Sequence, residues 1–189
     1  MRIFRKILII IAVVMLVVAA VGLLFFPAHI HVERSTVINQ KPSMVFNYVS
    51  DLHQWNNWSP WYKRDPNAKY IFAGPESGKG SSLSWESNVK DVGNGKMTIT
   101  DAEPDSLIRQ DLNFMENGVA KSSFRLSPEG EGTKITWAFD SDAGANPMMR
   151  IMGAFMDKFV GPDFESGLSS LKEKMESMHE VHSDSLSVQ

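Results

Sequence analysis

The chain has 189 residues, no cysteine and a formal net charge of −3. Without cysteine there are no disulfides, thiolate metal sites or thiol nucleophiles, and without a Lys/Arg cluster there is no surface to neutralise the phosphates of a nucleic acid. The charge is unevenly placed: residues 27–189 hold 16 Lys+Arg against 22 Asp+Glu, whereas the first 26 residues hold no acid.

Residues 1–6 form a basic stub with Arg2, Arg5 and Lys6, followed by an uncharged run, Ile7 to Phe26, in which 19 of 20 residues are apolar. A helix rising about 1.5 Å per residue would carry this run across the roughly 30 Å of a bilayer core. The basic flank on its N-terminal side predicts a cytoplasmic N-terminus, with the rest of the chain in the periplasm or outside the cell. A cleaved signal would have an apolar core of about 7–15 residues and a small-x-small site. Here Phe26-Pro27-Ala28 puts a ring where a small residue is needed. The expectation is a single-pass cytoplasmic-membrane protein anchored through residues 7–26.

Residues 28–178 have the size of one domain. His31–Ile38 reads as a strand, and Pro42-Ser43 opens a short helix carrying Met44, Val45, Phe46, Tyr48 and Val49. A second short element starts at Asp51. Residues 54–66 read as a loop pinned by prolines and loaded with Trp55, Trp58, Trp61 and Tyr62. Five or six strands follow, with turns at Gly74–Gly80, Gly93–Gly95 and Gly130–Gly132. Their alternation puts Trp85, Met97, Ile99, Leu112, Phe114, Phe124, Trp137 and Phe139 on one face, and Glu86, Arg109, Asp111, Lys121 and Arg125 on the other. That is an antiparallel meander with one dry and one wet face.

Asn146-Pro147 is a helix start, an N-cap followed by proline at the first helical position. Met148, Met152, Phe155 and Phe159 recur at helical spacing, and the stripe resumes at Phe164, Leu168, Leu171, Met175 and Met178. The phase slips at Gly161-Pro162, which predicts one long helix, bent there, over the concave face of the sheet. Residues 179–189 read as a flexible polar tail.

Val32-Glu-Arg-Ser35, Pro42-x-x-Val45-Phe46, Val49-x-Asp51, Trp58-Ser-Pro-Trp61, Asp65-Pro66, Gly74-Pro-Glu-Ser-Gly78-x-Gly80, Trp85-Glu86, Thr133-x-Ile135-x-Trp137 and Gly161-Pro-Asp-Phe-Glu165 occur in that order. Over about residues 30–177 the chain resembles the SRPBCC superfamily (START and Bet v 1-like proteins), in its polyketide cyclase/dehydrase and lipid-transport branch. The resemblance implies an α+β helix-grip fold, a curved antiparallel sheet wrapped around a long C-terminal helix. It also implies an apolar cavity between the two that holds lipids, sterols, polyketides or other hydrophobic molecules.

On that basis Trp85, Met97, Leu112, Phe114, Phe124 and Trp137 are expected to line the cavity from the sheet, with Met148, Met152, Phe155 and Phe159 opposite. Plain core packing is the competing reading for each. Six of the eleven methionines follow residue 147, and flexible thioethers suit a pocket that adapts to varied apolar guests. Trp55, Trp58 and Trp61 form either a lip at the cavity mouth, a contact with the bilayer interface, or a clasp on the sheet, the last favoured for Trp58 and Trp61. No catalytic pair stands out: Asp157, Asp163 and Glu165 near the helix break read as surface and capping groups. His29-x-His31 and His179-x-x-His182 lack a third ligand at useful spacing, and Gly74–Gly80 lacks the Gly-Lys-Ser/Thr ending of a phosphate loop. No metal and no cofactor are expected. The function expected is membrane-anchored binding, with lipid transport within its range, of a hydrophobic small molecule or lipid. The alternatives are a cyclase or dehydratase acting on such a molecule and an interaction module without a ligand.

Overall fold

A computed structural model describes residues 2–115 and 118–186, with side chains as far as Met178. The chain begins with the apolar helix α1 (Arg2–Phe25) and enters the sheet at β1 (His29–Ile38). Helix α2 (Pro42–Ser50), a 3-10 turn over Leu52–Asn57 and helix α3 (Pro60–Arg64) follow. Six further strands come next: β2 (Lys69–Ala73), β3 (Ser82–Glu86), β4 (Gly95–Glu103), β5 (Leu107–Asn113), β6 (Val119–Glu129) and β7 (Gly132–Asp142). Helices α4 (Pro147–Gly153) and α5 (Met156–Leu186) complete the described chain.

The strands form one antiparallel sheet in the order β1-β7-β6-β5-β4-β3-β2, with α5 along β1 and α2 over β5 to β7. This is the α+β helix-grip architecture. Period-two alternation sets the faces: in β1, Ile30, Val32 and Ile38 are buried while His29, His31 and Glu33 look outward. β4 carries a bulge between Ile99 and Asp101, so Ala102 rather than Asp101 continues the inner row. Asp101 is thereby free to accept from the Arg109 guanidinium on the outer face, at 2.6 Å.

Local detail departs from the sequence reading in three places. Residues 54–66 are more ordered than a loop: the Asp51 carboxylate caps the 3-10 turn by accepting from His53 N–H, and Ser59 Oγ caps α3 by accepting from Tyr62 N–H. The helical break falls at Ala154–Phe155, not at Pro162, which sits within α5. Proline inside a helix removes one backbone hydrogen bond, and the buried row Phe164, Leu168, Leu171 and Met175 holds α5 on the sheet despite that loss. The alternation also predicts a strand over Glu86–Asp91, but the segment over 87–94 is irregular and β3 ends at Glu86. The polar tail expected over 179–189 lies outside the described side chains, and the α5 backbone continues to Leu186.

The core centres on Trp137 of β7, whose ring stacks on Phe164 of α5 with centroids 4.0 Å apart and planes 5° apart. Both side chains are sealed from solvent. Phe164→Ala removes the stack and leaves a cavity, so the full chain in detergent micelles is expected to lose about 3–5 kcal/mol of stability, read from its denaturant midpoint.

Candidate functional site

The inner face of the sheet is sealed at one end and opens toward the other. Along β5, Ile108 and Gln110 are buried but Leu112 is half-buried, as is Phe114 just beyond the strand. Along α5 the order runs the same way, from buried Leu171, Leu168 and Phe164 to half-buried Val160 and Met156. The open end is the one where β1 begins and α1 is attached, because His29 pairs with Asp142 and Ser141 Oγ lies 3.4 Å from the Val119 carbonyl.

The site residues expected from the sequence separate into three groups along this axis. Met97, Phe124 and Trp137 are deep in the core. Trp85, Leu112 and Phe114 are half-buried at the opening, where the Trp85 indole meets Phe114 edge-on at 6.2 Å and donates to the Val92 carbonyl at 3.2 Å. The Trp85 ring lies so close over Gly95 that a Cβ there would fall 2.4 Å from Cζ2. Met148, Met152, Phe155 and Phe159 do not face the sheet at all: they are 54, 57, 50 and 73% exposed. Their stripe is real, but α4 has no buried residue and turns that stripe outward. Gly153 is the position that lies against β1, with a Cβ there only 2.5 Å from the Ile30 side chain.

The three tryptophans form a clasp rather than a lip. Trp55 and Trp58 are buried, Trp61 is half-buried, and all three meet Trp137 edge-on at 5.7, 5.5 and 5.9 Å. The Trp137 indole donates to Ser122 Oγ at 3.0 Å. Two other buried donors, Trp58 Nε1 and Gln110 Nε2, have no partner among the described residues. Leaving such a donor unpaired costs roughly 1–3 kcal/mol. Strand alternation puts Gln110 between Ile108 and Leu112 on the inner row, so the sequence carries a signal for its burial. The fully buried polar side chains among the described residues are Gln, Ser and Thr. None of these exchanges a proton near neutral pH, so acid–base chemistry would have to draw on the rim. Tyr70, paired with Trp85, is half-buried there, and its phenol is pushed up by burial, as is that of the half-buried Tyr48 on α2.

Arg34 bridges sheet and helix. It points inward from β1, and its guanidinium donates to Asp157 at 2.7 Å and to Glu165 at 2.6 Å. It passes directly over Gly161, where a Cβ would fall 2.2 Å from Nη2. The hydrogen bonds to Asp157 and then Glu165 raise the Arg34 pKa further, and Arg34 in turn holds the Asp157 carboxyl below the usual carboxylate range. Asp163 pairs with Arg64 of α3. Asp157, Asp163 and Glu165 near Pro162 are thus each held in an ion pair.

On the outer face, strand pairing supplies what spacing could not show. Asp140 of β7 lies opposite His31, and its Oδ1 is 2.7 Å from His31 Nδ1 and 3.2 Å from His29 Nε2. The ligand atoms of His29, His31 and Asp140 all lie within 4.8 Å of one another. The expectation that the histidine pair lacked a third donor is therefore corrected, because that donor arrives from a strand 109 residues away. An open concavity of about 610 Å³ adjoins the cluster on the wet side, with Lys96, Asp111, Lys121, Asp140 and Asp142 among its lining. Lys121 sits opposite both Asp140 and Asp111 in the ladder and offsets part of their charge.

Residues 29–176 match the family model described as polyketide cyclase / dehydrase and lipid transport. No curated protein matches the chain by sequence. Among solved structures, protein Ms6760 from Mycobacterium smegmatis aligns with a TM-score of 0.55 at 13% identity, over 79% of this chain and 93% of its own. The di-domain ARO/CYC StfQ from the steffimycin biosynthetic pathway aligns at 0.63 and 10% identity over 81% of this chain, which spans about half (52%) of StfQ. Ara h 8.0201 aligns at 0.52 and 13% identity, over 76% of this chain and 97% of its own. At these identities the likeness is one of fold.

The hydrogen bond to Asp140 raises the His31 pKa, with Glu33 adding to it against a burial that lowers it. A raised folded-state pKa stabilises the fold fully below the unfolded value of about 6.5, and that gain fades as pH rises through the folded value. Asp140→Asn is therefore expected to lower the melting temperature at about pH 5.5 and to have less effect at about pH 8.5, a difference that thermal scans at the two pH values would measure.

Proposed function

The chain belongs to the polyketide cyclase/dehydrase and lipid-transport family, and on that premise we propose that its helix-grip domain holds a hydrophobic small molecule or lipid between sheet and α5, beside the membrane that α1 crosses. The observation that carries this reading is the grading of the interior. Apolar side chains pass from sealed to half-exposed along β5 and α5, and the open end adjoins the apolar helix. A ligand entering there meets Leu112, Phe114 and Trp85 on one side and Met156 and Val160 on the other. The unpaired donors of Gln110 and Trp58 lie deeper and suit an oxygen acceptor on an otherwise apolar guest. Helix α1 (Arg2–Phe25) contains an 18-residue stretch of mean hydropathy 3.4 with only 6% of it buried, which fits lipid contact better than a place in a protein core. The basic flank at Arg2, Arg5 and Lys6 orients the domain away from the cytoplasm. Binding stands ahead of catalysis because the fully buried polar groups described are non-titrating.

Native mass spectrometry of the full chain in mild detergent is expected to release a bound apolar molecule, and a fluorescent fatty acid such as parinaric acid is expected to bind saturably. Val160→Trp fills the opening and is expected to weaken that binding at least about tenfold with the fold intact, equivalent to roughly 1.4 kcal/mol. Unchanged binding by this variant would overturn the reading. Gln110→Leu deletes an unpaired buried donor, so the unliganded protein is expected to be as stable as the parent or about 1 kcal/mol more so, while probe binding weakens.

A further inference from the structure

Helix α1 does not end free of the domain. Gly22, its one buried residue, lies against Pro147 of α4 so closely that a Cβ would fall 2.6 Å from the Pro147 carbonyl oxygen. Arg150 of α4 donates to the carbonyls of Leu23 at 3.1 Å and Phe26 at 3.5 Å, and to that of Gly144 at 2.8 Å. The guanidinium thus caps carbonyls that the last turn of α1 would leave unpaired. These contacts fix α4 at the level where α1 emerges from its apolar stretch.

At that level α4 and the start of α5 present Met148, Met152, Phe155 and Phe159 outward at spacings of 4, 3 and 4, all half or more exposed. Leu24 and Phe25, at the end of the α1 helix that packs on α4, are each 77% exposed. Val119 and Met115, at the sheet end next to His29, are exposed too. Exposed large apolar side chains grouped on one element mark an interaction surface, and a helix packed beside a membrane-spanning one has an apolar phase within reach.

We propose that the stripe Met148, Met152, Phe155 and Phe159 is a second membrane contact, immersed in the glycerophospholipid interface of the bilayer that α1 crosses. This inference rests on the anchoring role given to α1 above. It adds an orientation: with α1 and the stripe both engaged, the domain is held at two points and the open end of the grip faces the leaflet. A hydrophobic guest then exchanges between membrane and interior without crossing water.

The absence of cysteine allows a direct test in the full chain. Met148→Cys, Met152→Cys, Phe155→Cys and Phe159→Cys, each labelled with a polarity-sensitive fluorophore, are reconstituted into phosphatidylcholine–phosphatidylglycerol vesicles. Val14→Cys in α1 and Lys121→Cys on the outer sheet face serve as references. All four stripe positions are exposed, so labelling leaves the core untouched. The stripe labels are expected to shift to the blue, to be quenched by nitroxide lipids carrying the spin label near the headgroup, and to be several-fold less open to iodide than Lys121→Cys. If they are as open to iodide as Lys121→Cys while Val14→Cys is quenched only from the lipid, the stripe proposal is wrong and the anchor stands. Iodide access at Val14→Cys would overturn the anchor and the proposal with it. Stripe labels shielded from both quenchers would mean that protein, such as a second copy of the chain, covers the stripe, which also overturns the proposal.

Discussion

The stack of Trp137 on Phe164 is the contact on which the rest of the domain is assembled. It joins the last strand of the sheet to the long helix at 4.0 Å. Three more indoles, Trp55, Trp58 and Trp61, close on it edge-first. Edge-to-face pairs of this kind contribute roughly 0.5–1.5 kcal/mol beyond the apolar area they bury. Gly167, one turn beyond Phe164, leaves room for the other edge of Trp137: a Cβ there would fall 2.9 Å from Cζ3. The segment over 51–64 has its position because its three tryptophans have this one place to go. Helix, sheet and clasp are thus fixed by one aromatic cluster, and the interior beyond it is where the grip can open.

That arrangement gives the domain two unlike ends. Away from α1, Ile38, Ile108, Ile135 and Leu171 are fully buried, and the backbone carbonyl of Gln40 accepts from Thr133 Oγ1. Toward α1, burial fades along β5 and α5, while Ile30 and Val32 of β1 stay buried, and an ion-pair cluster joins β1 to the first half of α5. Arg34, Asp157 and Glu165 form that cluster, and exposed pairs of this kind contribute modestly to stability. A cluster of ion pairs between rotamer-rich side chains separates more readily than packed rings, which suits the end of the molecule where the proposed exchange takes place.

The sequence was legible where local geometry decides the outcome. Strand alternation assigned Trp85, Met97, Leu112, Phe114, Phe124 and Trp137 to the inner face, and all six lie there. It missed how their burial grades from Phe124 at the centre to Phe114 at the rim, because grading depends on what covers each position. The methionine and phenylalanine stripe of residues 148–159 was read with the right period and the wrong side. Spacing says that four residues share a helical face, but whether that face meets the sheet depends on the break at Ala154–Phe155 and on the grip of Gly22 and Arg150 on α4. The His29, His31 and Asp140 cluster was hidden for the same reason, since its third member is contributed through the pairing of β1 with β7.

By itself the sequence determined the apolar helical run within residues 7–26, the antiparallel sheet with its dry face and the helical apolar row of Phe164, Leu168, Leu171 and Met175. Each follows from backbone periodicity and chain chemistry, which act over a few residues and do not depend on distant partners. Only the tertiary structure decided that three tryptophans close around Trp137, that Gln110 and Trp58 keep buried donors without partners, and that α4 turns its apolar stripe away from the sheet beside the end of α1. The physical reason is that burial belongs to pairs of surfaces. An apolar face announces that it needs cover, but the cover is chosen by elements more than a hundred residues apart in the chain.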